Sequence, residues 1–547
     1  MPSVSAQSKI PKRTLPDSVK ARMRPRGERP ADHASFVLPP RLKTTAGLER
    51  HDAPLTRRQA THLLRRTCFG APLERVNLLV GMHADEAANF LVEEALAASP
   101  PDPPEWHAEY PPWGAPQAVR RAYNDKQDDW FREYTASWIG EMLRGGLREK
   151  MTLFWHNHFV TERATYFYSI MAYKYLAMLR TYALGNFRDF VGQVGINPAM
   201  LVYLDGNENS GAEPNENYAR ELLELFTMGE NDQDGQPNYT QEDVVAISRA
   251  LAGWYVDYGQ FVSRIDYTAT DNGEKEVFGQ RSNYDFGSVH TVIFEQRSRQ
   301  IAEFIVGKLY AEFIYVTPDE TIVSGLADIF LANDFEIAPV LRTLLQSAHF
   351  FEDAVVGAKI KSPVELFVGT LMDTGRDVVP KIALQRIRQM MVNLGQSLLN
   401  PPNVGGWTGY RDWITTASLP SRWQEMDTIL KGSLPDVRVN LVPVAQGLVD
   451  PSDPLAVFKV PVALVEHMLS VPATVLSYDA PPDFHGDLDT FPIPEEVRNA
   501  PPHVADLTRI FLGNFTWYEW NLERQGIAYG MAQFLNYLTK LPEYQLG

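Results

Sequence analysis

Glu149-Lys-Met-Thr-Leu-Phe-Trp-His-Asn-His-Phe159 and Asn215-Glu-Asn-Tyr-Ala-Arg-Glu-Leu-Leu-Glu-Leu-Phe-Thr-Met-Gly229 bracket the stretch, Met151 to Tyr255, in which potential chemistry is most concentrated. Both runs have helical spacing. In the second, Ala219, Leu222, Leu225 and Phe226 face one way, while Asn217, Glu221 and Glu224, at i, i+4 and i+7, line another. Outward from there the same period recurs. Trp130, Tyr134 and Trp138 repeat every fourth residue until Gly145-Gly146 breaks the pattern. Helices are expected at 57–66, 84–97, 118–143, 148–160, 169–184, 186–194, 215–228, 240–254, 297–314, 318–332, 336–348, 362–374, 381–398 and 521–540. Thr56 and Thr240 are expected N-caps, the latter with Asp243 at N3.

Between these runs lie loops and one change of period. Residues 255–290 alternate at Phe261-Val-Ser-Arg-Ile265 and then turn Gly/Asn/Asp-rich, predicting a small hairpin or irregular insertion. Residues 99–116, 400–413 and 476–503 are too rich in Pro and Gly for helix or central strand. The reading is a mainly α, large multi-helix unit over 51–547, preceded by a flexible or surface-draped basic arm over 1–50.

The 547 residues carry a net charge of −17, with 44% hydrophobic and 11% aromatic side chains. Residues 1–50 alone hold 11 Lys+Arg against 4 Asp+Glu, a local charge of +7, so the remainder carries −24. An acidic body argues against nucleic acid as a partner. The basic arm is instead a candidate clamp onto that body or onto a protein partner. No apolar run approaches the length of a membrane span, and residues 1–30 lack the apolar core of a secretory signal, so a cytoplasmic location is the default expectation. The single cysteine, Cys68, excludes an intrachain disulfide.

His156 and His158 lie about 200° apart on a helix, so they cannot ligate one metal from a regular helix. One of them, His158, is the expected functional group: a base, hydrogen-bond donor or metal ligand. In the second run, Arg220 is within reach of Glu216 and Glu224. One carboxylate pinned by Arg220 would stay ionised while another, in apolar surroundings, could hold a proton, which is the arrangement acid/base catalysis needs. The alternative is a solvated face stitched by ion pairs. Two loops resemble calcium loops: Asp205, Asn207, Asn209 and Glu216 in one, with its Gly one place late, and Glu230 to Gly235 in the other, with Gln241 where a bidentate Glu is needed. No nucleophile elbow, phosphate-binding loop, zinc-protease motif or dinucleotide fingerprint is present.

Several pieces resemble the bacterial family catalogued as domain of unknown function 1800. They are His62 to Gly70, Glu149 to Phe159, Asn197 to Asp205, Pro214 to Leu225, Tyr239-Thr240, Arg249 to Trp254, Lys361-Ser-Pro-Val-Glu365, Leu394 to Trp407 and Pro542 to Gln545. The resemblance implies one large helical unit whose scattered pieces meet around a single site. It also implies export in relatives, for which this sequence shows no signal, and a histidine in many relatives where Phe226 stands here.

The functional expectation is an acid/base or metal-assisted, hydrolase-like enzyme for a polymeric or glycosidic substrate. Glu221 and Glu224 are the expected acid/base pair, Arg220 the charge-setter, and Asn217, Asn403, Trp407 and Trp413 the substrate contacts, with the 400–413 loop as a roof. A divalent metal on His156 or His158 with Glu221 is the variant. The competing expectation is a non-catalytic scaffold, discriminated by whether the polar cluster is enclosed or flat and exposed.

Overall fold

Helical period in the sequence becomes helix almost throughout the structure, a computed structural model that describes residues 38–433, 437, 439–476, 478, 488, 492–513 and 515–547. The principal helices run α1 (Arg57–Thr67), α2 (Ala84–Ala97), α3 (Gln127–Met142), α4 (Gly146–His158), α5 (Ser169–Tyr182), α6 (Phe187–Gly195), α7 (Asn217–Glu221) and α8 (Gln241–Ala250). After two short hairpins come α9 (Phe286–Gln296), α10 (Ser298–Phe313), α11 (Glu320–Ala332), α12 (Ile337–Gln346), α13 (Pro363–Asp373), α14 (Lys381–Asn393), α15 (Ser418–Leu430), α16 (Ala456–Met468), α17 (Pro502–Leu512) and α18 (Ile527–Leu538). The chain is mainly α, and its described residues include no helix long and apolar enough to cross a membrane.

Local chemistry sets the boundaries. Thr56 and Thr240 each close a capping box, with Gln59 and with Asp243. The expected insertion is two antiparallel hairpins: β1 (Trp254–Asp257) on β2 (Val262–Ile265), then β3 (Lys275–Val277) on β4 (Gln280–Ser282). Of the expected 476–503 loop, residues 477, 479–487 and 489–491 lie outside the described residues, and Glu495–Arg498 forms a short helical turn.

One main hydrophobic cluster runs from α1 to the end of the chain, with a small satellite around Val457, Phe458 and Leu512. At its centre Trp155, fully buried, packs against Phe159, Phe187 and Phe190 and donates its indole N–H to the carbonyl of Ala183. Gly70 lets the end of α1 touch α13: a Cβ there would lie 2.7 Å from the carbonyl oxygen of Gly369. A buried Arg65–Asp373 pair at 3.2 Å locks the same junction. Cys68 sits beside it, and burial pushes its thiol up, so it is packing rather than a nucleophile.

Residues 38–50 lie along the body. Arg41 pairs with Glu320, the Ala348 amide donates to the Glu49 carbonyl, and Thr317 Oγ1 donates to the Pro39 carbonyl. Residues 1–37 of the arm, and with them most of its positive charge, lie outside the described residues.

The run after Glu221 departs from expectation. It is not a regular α-helix over 215–228: Leu222–Thr227 is π-helical. Thr227 Oγ1 donates to the carbonyl of Leu222, five residues back, at 2.6 Å. The wider turn rotates Glu224 away from the register that the i, i+7 spacing assumes.

Candidate active-site cleft

The α4 face that carries Lys150, Phe154, Asn157 and His158 opens onto a cleft of about 380 Å³. The opposite wall is α10, with Lys308, Ala311 and Glu312 at i, i+3 and i+4. Lys359, Ser362 and Glu365 close one end at the start of α13, and Gly405, Trp407, Thr408, Tyr410 and Trp413 cover the cleft. The volume suits a small molecule or one or two units of a polymer.

The roof is tied down by Asn157, the residue between the two histidines. Its Oδ1 accepts from the Trp407 amide at 2.7 Å, and its Nδ2 donates to the Trp407 carbonyl at 3.2 Å. The side chain thus pairs with one residue of loop backbone as a strand would. Gly406, at φ +77°, permits this contact, since a Cβ there would stand 2.6 Å from the Asn157 carbonyl oxygen.

The histidines diverge, as their angular separation requires. His156 is fully buried and its Nε2 accepts from the Leu399 amide at 3.0 Å. That contact places the ring proton on Nδ1. Burial lowers its pKa to about 3, so it stays neutral, and its ring stacks on Trp407 from beneath. His158 lines the cleft instead. Its Nε2 donates to the Phe226 carbonyl at 3.0 Å, leaving Nδ1 as an acceptor. Burial, then the Lys308 charge, hold it well below the usual histidine range.

Lys308 supplies the hydrogen to that acceptor. Its Nζ lies 3.1 Å from His158 Nδ1 and 3.1 Å from the Leu225 carbonyl. The carbonyls of Leu225 and Phe226 end the π-helical turn, where no further helical amide follows, so a lysine and a histidine cap that terminus. Burial lowers the Lys308 amine to about 7. A neutral amine has two hydrogens and one lone pair. Both hydrogens are then directed at His158 and Leu225, and the Phe304 ring lies 4.5 Å from the nitrogen.

The remaining charges are paired. Lys150 bonds Glu365, and lies 3.1 Å from Glu312, which lies 3.2 Å from Lys359. Burial pulls Lys150 down, but Glu365 and Glu312 outweigh it and raise the ammonium to about 12. Burial would raise Glu365, but Lys150 and Lys359 hold it well below the usual carboxylate range. Glu365 also accepts from the Ser362 amide at 2.8 Å, completing the capping box of α13. Lys359 is lowered by burial.

Of the residues expected from sequence, His158, Trp407 and Trp413 meet at this cleft. Glu221, Glu224 and Arg220 are not among its lining. Glu221 and Glu224 are buried, and Tyr239 Oη lies 3.5 Å from Glu224. Arg220 is half-exposed and bonds Glu216 at 3.0 Å and Gln241 at 2.9 Å. Asn403 supports a turn, its Oδ1 accepting from the Gly405 amide at 2.9 Å.

The calcium candidates are occupied by structural bonds. Asn217 donates to Asp205 at 2.7 Å, and Asn209 bridges the Ser248 carbonyl and the Asn215 amide. Glu216 bonds Arg220 and Gln241, and Asn207 is half-buried at the same turn. In the second loop, Asp232 accepts from the amides of Asp234 and Gln236, an Asx turn. Among the described residues no three His, Cys, Asp or Glu side chains are grouped to hold a metal ion. Of the expected metal ligands, His156 and His158 bond different backbone groups, and Glu221 is not among the residues lining the cleft.

Lys308, Lys150, Glu312, Glu365 and Asn157 were not singled out by sequence reasoning. Two signals were available: the Ser-Pro-Val-Glu capping box at 362–365, and the spacing that puts Lys150, Asn157 and His158 on one face of α4.

No curated protein and no solved structure matches the chain. A family profile described as "Protein of unknown function (DUF1800)" matches residues 62–546, which takes in every residue of the cleft, and the chain therefore belongs to that family.

Proposed function

We propose that the protein is an acid/base enzyme of hydrolase-like type that works in the α4/α10 cleft, with Lys308 as the base. The observation that carries this reading is the amine itself: a lysine in a concave site, lowered by burial to about 7, with its two hydrogens held by His158 and Leu225. Such a group is neutral for much of its time at physiological pH and takes a proton from water or a hydroxyl. The ammonium groups of Lys150 and Lys359 stand where negative charge develops, held in place by Glu312 and Glu365. Trp407, Tyr410 and Trp413 offer flat apolar surface to a sugar ring or another planar group.

This reading moves the base from the Glu221/Glu224 pair to Lys308. It favours an enzyme over a scaffold because the perturbed groups line a concave cleft, whereas Arg220, Glu216 and Gln241 form a half-exposed network. The test is hydrolysis of a panel of nitrophenyl esters and glycosides. Lys308→Met is expected to lower turnover by about 10² or more, with Glu221→Gln and Glu224→Gln close to wild type. Turnover that survives Lys308→Met but fails in either glutamine variant would return the chemistry to the Glu221/Glu224 pair.

A further inference from the structure

The Lys308 amine is placed for more than proton transfer. The residue is half-buried on the α10 wall, and the two hydrogen-bond partners of its nitrogen among the described residues, His158 Nδ1 and the Leu225 carbonyl, are both acceptors. Neither competes for the nitrogen lone pair. The His158 tautomer is fixed by the Phe226 carbonyl, so Nδ1 remains an acceptor. The other charged groups of the cleft are Lys150, Glu312, Lys359 and Glu365, and these bond one another rather than Lys308. No carboxylate of that set is paired with the amine to keep it protonated. Opposite lie Phe154, Trp407, Tyr410 and Trp413, apolar faces suited to a planar substituent.

We infer that Lys308 is a nucleophile that captures an aldehyde or ketone bearing a planar group, forming an imine in the cleft. This rests on the cleft being the working site and names the substrate class it takes. The step balances without a co-reactant. The nitrogen lone pair bonds to the carbonyl carbon, and the C=O π electrons move to oxygen, which takes a proton from the nitrogen. The carbinolamine then loses that hydroxyl with the second nitrogen proton as water, leaving C=N. Uptake of one proton from solvent by that imine restores an N–H, for which His158 Nδ1 and the Leu225 carbonyl are both in reach. The paired Lys150 and Lys359 ammonium groups line the same cleft and offer positive charge to the oxygen as it gains electrons.

The test is reductive trapping of the full-length protein with benzaldehyde and sodium cyanoborohydride, followed by peptide mass mapping. At pH 7.5, Lys308 is expected to acquire the benzyl group about 10²-fold faster than exposed lysines, which are almost wholly protonated there. Its rate is expected to level off above about pH 7.5, while theirs keeps rising towards pH 10. The mapping is done on wild-type protein, so it does not depend on a variant folding. Lys308→Arg is expected to lose the fast adduct alone.

Adducts spread over surface lysines with no preference for Lys308 would overturn the inference. If that happens while Lys308→Met still abolishes ester or glycoside turnover, Lys308 is a base only, and the proposed function stands without carbonyl capture. A fast Lys308 adduct together with turnover insensitive to Lys308→Met would support capture and remove the hydrolytic reading.

Discussion

Glu365 does three things with one carboxylate. It caps α13 through the Ser362 amide, bonds the buried Lys150, and through that bond fixes one end of the cleft. Removing one partner of a buried pair leaves an uncompensated charge, and the loss exceeds what the pair itself contributes. Glu365→Gln is therefore expected to destabilise the fold by about 3 kcal/mol, seen as a lower thermal midpoint. Glu312→Gln is expected to cost less, because Lys150 keeps Glu365. Equal midpoints for Glu365→Gln and wild type would show that Lys150 is solvated, not paired. At this scale the sequence was half legible. Helical geometry separated His156 from His158 as groups that cannot act together, but Lys308 was passed over, since a lone lysine on an amphipathic helix reads as surface. What changes its chemistry is burial beside the His158 ring and the Leu225 carbonyl, which come from two other elements, and that is a property of tertiary packing.

At the scale of elements, helix period and capping residues identified most of the fold. Capping boxes at Thr56 and Thr240 and the hairpin at 254–265 formed where local chemistry placed them. The π turn at Leu222–Thr227 was not legible, because Leu-Leu-Glu-Leu-Phe-Thr has good helical pattern either way. It is set by Thr227 bonding Leu222 and by the lysine and histidine that take the last carbonyls. The roof loop shows the reverse case. Pro and Gly content said only that 400–413 is not regular structure, and Asn157 decides where it goes. Gly406→Ala is expected to lose about 2 kcal/mol or more, from positive φ and from contact with Asn157, and to loosen Trp407. Faster quenching of tryptophan emission by acrylamide would report the loosening. Unchanged stability and quenching would mean that the Asn157 clamp does not hold the roof.

Across the whole molecule, burial keeps histidines neutral. His62, His156, His158, His290, His349 and His467 are all lowered, each with desolvation as the first cause. A group that is neutral when folded but protonates near pH 6.5 when unfolded makes the unfolded state bind more protons as pH falls through that value. Stability is therefore present above about pH 6.5 and lost below it. Unfolding near pH 6 is expected to take up roughly four protons, measurable by calorimetry in buffers of different ionisation enthalpy. Uptake below about one would mean that the histidines are solvated. The family resemblance was legible over nearly the whole length and is matched by the profile over 62–546, yet it left open which residues converge. Convergence comes from α4, α10, the start of α13 and the roof loop meeting in space, and their sequence separations hide it. The central claim is that this meeting point holds a lysine whose amine burial lowers to about 7. The direct measurement is an NMR titration of reductively ¹³C-methylated protein, with the Lys308 resonance assigned by Lys308→Arg. A midpoint near 7 is the expected result, with surface lysines near 10. A Lys308 midpoint near 10 would contradict the account.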